Sequence, residues 1–178
     1  MLSAEYYSDS PATIWRHVRA STPPAQPERK FAVHRPDAAV KLKQDSSYVG
    51  FDTYNTTAAH QIRTVQTKRQ TTETFDIAVR NRRSVVDAFR LKGQGSTTNF
   101  AVKYLAGLRG TTNITNAVEA GIYTLTTVAA GGTKYLRLRI TVRGTAKIGS
   151  TFGRLVTVRS VHASVAKDAV KGVLNVVG

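Results

Sequence analysis

Apolar and polar residues alternate with a period of two along most of the chain beyond Phe31. Phe75, Ile77 and Val79 are interleaved with Asp76, Ala78 and Arg80, and Phe100, Val102 and Tyr104 with Ala101 and Lys103. Successive side chains of an extended strand point to opposite faces, so each run predicts a strand with one buried face. The plainest run is Leu136, Leu138, Ile140 and Val142, interleaved with Arg137, Arg139, Thr141 and Arg143. It predicts a strand of an antiparallel sheet with one face in water. Val156 and Val158 alternate with Thr157 and Arg159, and Val170, Leu174 and Val176 with Lys171 and Asn175. The clusters Gly93-Gln94-Gly95-Ser96, Ala130-Gly131-Gly132-Thr133 and Lys147-Ile148-Gly149-Ser150 mark turns between these runs. Residues 61–72 read as a polar strand or loop, and Asn116 to Ala120 as one helical turn. Short strands, regular turn signals and no sustained helical period predict an all-β, antiparallel β-sandwich, with a barrel as the alternative.

The region before this pattern reads differently. Pro11, Pro23, Pro24, Pro27 and Pro36 are the chain's prolines. Proline fixes φ and donates no hydrogen bond, so Pro23, Pro24 and Pro27 predict an extended linker. The expected organisation is an N-terminal arm and linker over residues 1–35, followed by a sandwich domain over residues 36–178. Within the arm, residues 13–19 are strand-like and carry the only tryptophan. Ile14, Trp15 and Val18 are the expected anchors into another surface, because a free arm seldom leaves such side chains in water.

Composition narrows the classes of function. The chain has 178 residues, of which 41% are hydrophobic, and 26 Lys and Arg against 11 Asp and Glu give a net charge of +15. This is a folded basic protein rather than a disordered basic tail. Without cysteine, disulfides, thiol catalysis and thiolate metal sites are excluded. No run is apolar enough for a membrane span, and the first twenty residues lack the apolar core of a signal peptide.

Catalytic and metal signatures are scarce. His17, His34, His60 and His162 stand in no metal-ligand spacing. Asp45 and Asp52 flank a serine-bearing loop without the alternating acidic register of a calcium site, and are expected to act as turn formers. Residues 144–150 resemble a phosphate loop superficially, but they lack its lysine and join two strands, so a hairpin is expected there. No Gly-x-Ser-x-Gly elbow is present. The expectation is a non-enzymatic protein with no cofactor and no bound metal.

The positive charge suggests a polyanion face. Arg137, Arg139 and Arg143 share one side of a strand, and Arg159, with Lys171 and Arg80, joins them if the strands are neighbours. The partners weighed for such a face are acidic polysaccharide, nucleic acid and an acidic patch on a neighbouring copy. The aromatics fall mainly at core-facing positions, which weakens the case for single-stranded nucleic acid. Two sequons, at Asn55 and Asn113, are candidate glycosylation sites.

A family resemblance adds to this reading. It is carried by Arg35-Pro36-Asp37-Ala38, Tyr48-Val49-Gly50, Tyr54-Asn55-Thr56-Thr57, Phe75-Asp76-Ile77-Ala78-Val79-Arg80-Asn81, Asp87-Ala88-Phe89, Phe100-Ala101-Val102-Lys103-Tyr104 and Lys167-Asp168-Ala169-Val170-Lys171. In this order they resemble the repeated Ig-like, CARDB-like modules of secreted and surface-anchored bacterial proteins. The resemblance implies an Ig-like sandwich and an extracellular or cell-surface location. Such modules follow the strand ending at Asn81 with a tight Asp-Gly turn, where this chain has Arg82-Arg83. They also form rods by covalent repetition, whereas here one module carries an arm. About 20 extended arm residues reach ~65 Å, enough to offer a strand to a neighbour's open sheet edge. The leading expectation is therefore a fibre subunit, a homopolymer assembled head to tail by strand donation. The alternatives are a module whose basic face docks acidic glycan or nucleic acid, and a viral coat protein.

Overall fold

The computed structural model describes residues 35–178. Ile14, Trp15 and Val18 of the arm and Pro23, Pro24 and Pro27 of the linker lie outside the described residues.

The period-two runs form strands in two layers. In chain order the elements are β1 (Pro36–Leu42), β2 (Ile62–Thr67), β3 (Thr72–Asn81), β4 (Asp87–Gly93), β5 (Phe100–Ala106), helix α1 (Thr115–Glu119), β6 (Thr124–Val128), β7 (Thr133–Val142), β8 (Thr151–Ser160) and β9 (Lys167–Val176). Sheet 1 has the order β1-β3-β7-β5, and sheet 2 the order β2-β9-β8-β4-β6. All pairings are antiparallel except that of β2 with β9, which is parallel. The helical turn falls at Thr115–Glu119, one residue earlier than its expected place.

Glycine-rich segments that read as hairpin turns are crossings between the sheets. Every consecutive pair of strands from β1 to β8 changes sheet, and the segment between β8 and β9 is the one that stays within a sheet. The expected hairpin at residues 144–150 is therefore a crossing from sheet 1 to sheet 2, pinned by Ala146, which is buried. Arg82-Arg83 likewise lies in a crossing, from β3 to β4, and not in a tight turn. The Asn81 side chain holds that crossing. Its Nδ2 donates to Val85 O at 2.8 Å and Val128 O at 2.9 Å, and its Oδ1 accepts from Arg83 N at 3.1 Å. One buried amide thus ties β3, the crossing and the end of β6 together, satisfying backbone carbonyls that a wider turn leaves open.

The core lies between the sheets. Phe75, Ile77, Leu136, Leu138 and Ile140 of sheet 1 belong to one cluster with Phe89, Leu91, Val156, Val158 and Leu174 of sheet 2. Each such side chain contributes about 1.5–3 kcal/mol on burial. Phe100 of β5 and Phe152 of β8 stack across the layers with ring centroids 3.9 Å apart. Gly172 of β9 faces the Phe75 ring, and a Cβ there would stand 3.0 Å from ring carbons, closer than packed carbons sit. Absence of a side chain at 172 lets β9 approach sheet 1.

Strand β1 is buried on both sides. Its outer side is covered by the segment between β1 and β2, whose hub is Asp168 at the start of β9, itself wholly buried. The Asp168 carboxylate accepts from Ala38 N at 2.7 Å, Gln61 Nε2 at 3.0 Å, Asn55 N at 3.2 Å and Ala169 N at 2.9 Å. Burial pushes its pKa up, against the lowering effect of these donors.

Candidate functional site: two outer faces and an open strand edge

Alternation places Arg137 and Arg139 on the outer face of sheet 1, with Arg143 just beyond the end of β7. Cross-strand register decides what each of them meets. Lys41, Asp76 and Arg137 stand side by side on β1, β3 and β7, and Arg137 Nε lies 2.7 Å from Asp76 Oδ1. Arg137 is therefore neutralised by a largely buried carboxylate. Arg80 lies over the Phe51 ring at 4.1 Å, and Lys41 over the Tyr48 ring at 5.2 Å, with its Nζ donating to Asp45 O. Tyr48, Phe51 and Tyr135 cluster on this face, with centroids 5.7 and 6.4 Å from that of Tyr48. Burial, then the charge of Asp76, pushes the Tyr48 hydroxyl up to about 12. Of the expected polyanion residues on this face, Arg139 and Arg143 remain exposed, Arg139 directly opposite the exposed Lys103.

Arg159 does not join them. It sits on β8, facing outward from sheet 2, on the opposite side of the sandwich, and so does Lys171 on β9. The expected single face of Arg137, Arg139, Arg143 and Arg159 is thus divided by the core, since the crossing after β7 carries the chain into the other sheet. On sheet 2, Arg159 has different neighbours. Register places Arg90 of β4, Arg159 of β8 and Lys167 of β9 in one cross-strand row, with Lys92 and Thr157 in the next. The acidic residues of these strands, Asp87 and Asp168, occupy buried, inward positions, so no carboxylate stands on the outer face of sheet 2. Reading the sequence missed Arg90 and Lys92, although the alternation Phe89-Arg90-Leu91-Lys92 carries the same signal as β7.

Sheet edges form the second feature, because a free edge is a row of unpaired backbone groups. The outer edge of β1 is closed. Ala38 N donates to Asp168 Oδ2, Val40 N to Val49 O at 2.9 Å and Leu42 N to Asp45 Oδ2 at 3.0 Å. Arg63, 2.6 Å from Asp45, holds that carboxyl below its ordinary pKa. The outer edge of β5 is closed in the same way, Val102 N donating to Ser96 Oγ and Tyr104 N to Thr115 Oγ1, each at 2.9 Å, and Ala106 N to Thr112 O at 3.1 Å. In sheet 2, β6 is five residues long, shifts register against β4 and carries Thr127 at φ 52°. Strand β2 is the regular open edge. Gln61 O and Thr67 O accept from Lys171 N and Val177 N on the β9 side, so the alternating residues Ile62, Thr64 and Gln66 turn their N–H and C=O groups away from the sheet. Among the described residues nothing pairs with them.

The sequons differ in what their amides do. Asn55 Nδ2 donates to Ala59 O at 2.8 Å and Gln61 Oε1 at 2.9 Å, so a sugar attached there would displace a bond that shapes the loop. Asn113 is exposed, with its Oδ1 accepting from Thr115 N and Thr115 Oγ1. Asp45 pairs with Arg63 and Asp52 with Arg82. Among the described residues no three His, Asp or Glu side chains gather where they would hold a metal. His60 is exposed, and His162 Nε2 stands 3.9 Å from Asp87 Oδ1. No helix of the described residues is long and apolar enough to cross a membrane.

No family model and no curated protein matches the chain. Similar solved structures exist at low identity. A family 123 glycoside hydrolase from Clostridium perfringens matches at 10% identity and TM-score 0.51, over 80% of this chain and 27% of that one. A FixG-related protein from Vibrio parahaemolyticus matches at 9% identity and TM-score 0.44, over 80% of this chain and 97% of that one. The major pilin subunit of Bacillus cereus matches at 10% identity and TM-score 0.43, over 79% of this chain and 40% of that one. The chain thus spans about a quarter of the hydrolase and well under half of the pilin. The likeness is one of architecture: the chain is an all-β, Ig-like sandwich.

Proposed function

We propose that this protein is a non-enzymatic structural subunit of an extracellular or cell-surface fibre, joined head to tail when residues 13–19 of one copy add a strand to β2 of the next. One observation carries the reading: both edges of sheet 1 are closed by named hydrogen bonds, whereas β2 offers a straight, unpaired edge. Strand addition uses such an edge for main-chain bonding and its side-chain rows for specificity. Ile14 and Val18 then continue the half-buried row of Val65, and Trp15 lies on the other face, beside the exposed Ile62.

Placement of the edge favours end-to-end joining. Ala38 at the start of β1 bonds Asp168 at the start of β9, and β9 then runs ten residues, about 30 Å, to the other pole. β2 lies beside Lys171 to Val176, towards that far pole. The chain therefore enters the sandwich at one pole while the open edge lies towards the opposite one. A contact that joins unlike surfaces repeats head to tail, and it generates a filament where its rotation does not close into a ring. The resemblance to CARDB-like modules of surface-anchored proteins agrees with this location.

Negative-stain microscopy of three proteins tests the proposal: the full chain, the chain lacking residues 1–30, and Thr64→Pro. Thr64 N–H points out of the sheet, so proline there removes an edge donor without breaking a bond of the β2–β9 ladder. Fibres from the full chain alone, with Thr64→Pro folded and monomeric, are expected. Fibres from either altered protein, or monodisperse full-length particles, would overturn strand donation at β2.

A further inference from the structure

The outer face of sheet 2 carries a feature that the assembly reading does not use. Arg90, Lys92, Thr157, Arg159 and Lys167 surround a shallow depression of about 390 Å³, closed on one side by Gly121 after α1. Arg90 and Arg159 are directly opposite on paired strands, as are Arg159 and Lys167. Directly opposed side chains stand about 4.5–5.5 Å apart at Cβ, and like charges so placed are destabilising. This row therefore holds three mutually repelling cations on adjacent strands, with no carboxylate to offset them. Asp168, next to Lys167, is turned inward and buried, and Glu119, two residues before Gly121, packs over Gly95 on the side of Arg154. Arg90 Nε is shut off from solvent and has no acceptor. An atom so enclosed is out of a ligand's reach, and the terminal guanidinium nitrogens of Arg90 and Arg159 are the donors that an oxyanion in the depression would meet.

We infer that this depression is an anion-binding site for an acidic polysaccharide, with Arg90 and Arg159 gripping a sulfate or carboxylate group and Lys92 and Lys167 holding the next ones along the polymer. The face offers no aromatic side chain among its outward residues, from Ala88 on β4 to Gln66 on β2. Base stacking, the sequence-tolerant grip on single-stranded nucleic acid, has no platform here. An acidic polysaccharide can be held by its charged groups alone, and the cations stand in successive rows across β4, β8 and β9 that an extended polymer can follow. The site is separate from β2, so it stands or falls independently of fibre formation.

Binding of the full chain to heparin, to a carboxylate-only polysaccharide and to single-stranded DNA at ~50 mM salt tests the inference, where counterion release still favours polyanion contacts. Arg159→Glu/Lys167→Glu and Lys92→Glu are compared with Lys103→Glu/Arg139→Glu on the opposite face, all with melting curves as a check on folding. Lys92 is exposed at the rim, so its variant tests the site even if the double reversal unfolds. The expected result is that at least one polysaccharide binds tighter than DNA, and that the sheet 2 variants lose about tenfold or more while the sheet 1 pair retains its affinity. No retention of either polysaccharide, equal losses from both faces, or tighter binding to DNA would overturn it.

Discussion

Both sheets present cations to the outside, yet the two faces differ in what surrounds those cations. On sheet 1, Arg137 meets Asp76, Arg80 lies over Phe51, and the segment between β1 and β2 covers β1 with a hydrogen-bonded hub at Asp168. On sheet 2, Arg90, Arg159 and Lys167 meet one another. Alternation decides that a side chain points outward, but the neighbour across the sheet decides whether its charge is neutralised. The β1–β3 half of sheet 1 is covered and balanced and contributes to stability, whereas on its β7–β5 half Arg139 stands bare opposite Lys103. A bare, unbalanced row such as that of Arg90, Arg159 and Lys167 weakens the fold slightly.

The sharpest way to break this contrast is Asp168→Ala, which leaves the N–H groups of Ala38 and Asn55 without their acceptor and takes one acceptor from Gln61 Nε2, which keeps Ala38 O. Each buried unsatisfied group costs about 1–3 kcal/mol, so denaturant unfolding is expected to show a loss of about 3–5 kcal/mol. Arg137→Ala comes next, at about 1–3 kcal/mol, because it strands a carboxylate that is 4% exposed. Acidity separates the carboxyls of the covered face. Asp37 and Asp168 titrate above their unfolded values, chiefly through burial. Their contribution to stability is therefore complete below pH about 3.9 and declines as pH rises through the raised values. Asp45 titrates low beside Arg63, so its contribution is present above that same pH and is lost on further acidification. Carboxyl titration by NMR, set beside unfolding from pH 3 to 7, is expected to show these opposite trends. The smallest effect belongs to the bare face: Arg159→Ser relieves repulsion in its row, and is expected to stabilise by a few tenths of a kcal/mol in low salt.

Reading the sequence alone captures the strands of both faces but not their distribution. β5, β7 and β8 announce themselves through period-two runs that one-sided burial enforces, and β3 and β9 show similar runs although their middles are buried on both faces. Sheet membership leaves no such mark, because it is set by where each connection lands. Arg139 and Arg159 have the same local pattern and lie on opposite sides of the molecule. The glycine clusters signal a change of direction, and a hairpin and a crossing need the same backbone freedom, as at Gly131 with φ 67°. Buried polar residues were invisible for a related reason. Asp168 and Gln61 look like surface residues until β1 and the loop above it supply their partners. Of the basic depression, the outward phase of Arg90 and Lys92 was legible, whereas their proximity to Lys167 depends on β4, β8 and β9 lying side by side.

Parallel pairing of β2 with β9 also sets the order of events as the chain is made. Thr67 ends β2 and Lys167 begins β9, so about 100 residues of synthesis, roughly 5–20 s, separate β2 from its sole partner in the sheet. Over that interval sheet 2 lacks one of its central strands, and the hub at Asp168 that anchors β1 does not yet exist. Non-local pairing of this kind must meet its loop-closure cost before any contact rewards it. Sheet 2 and the hub at Asp168 are therefore completed only once β9 is made.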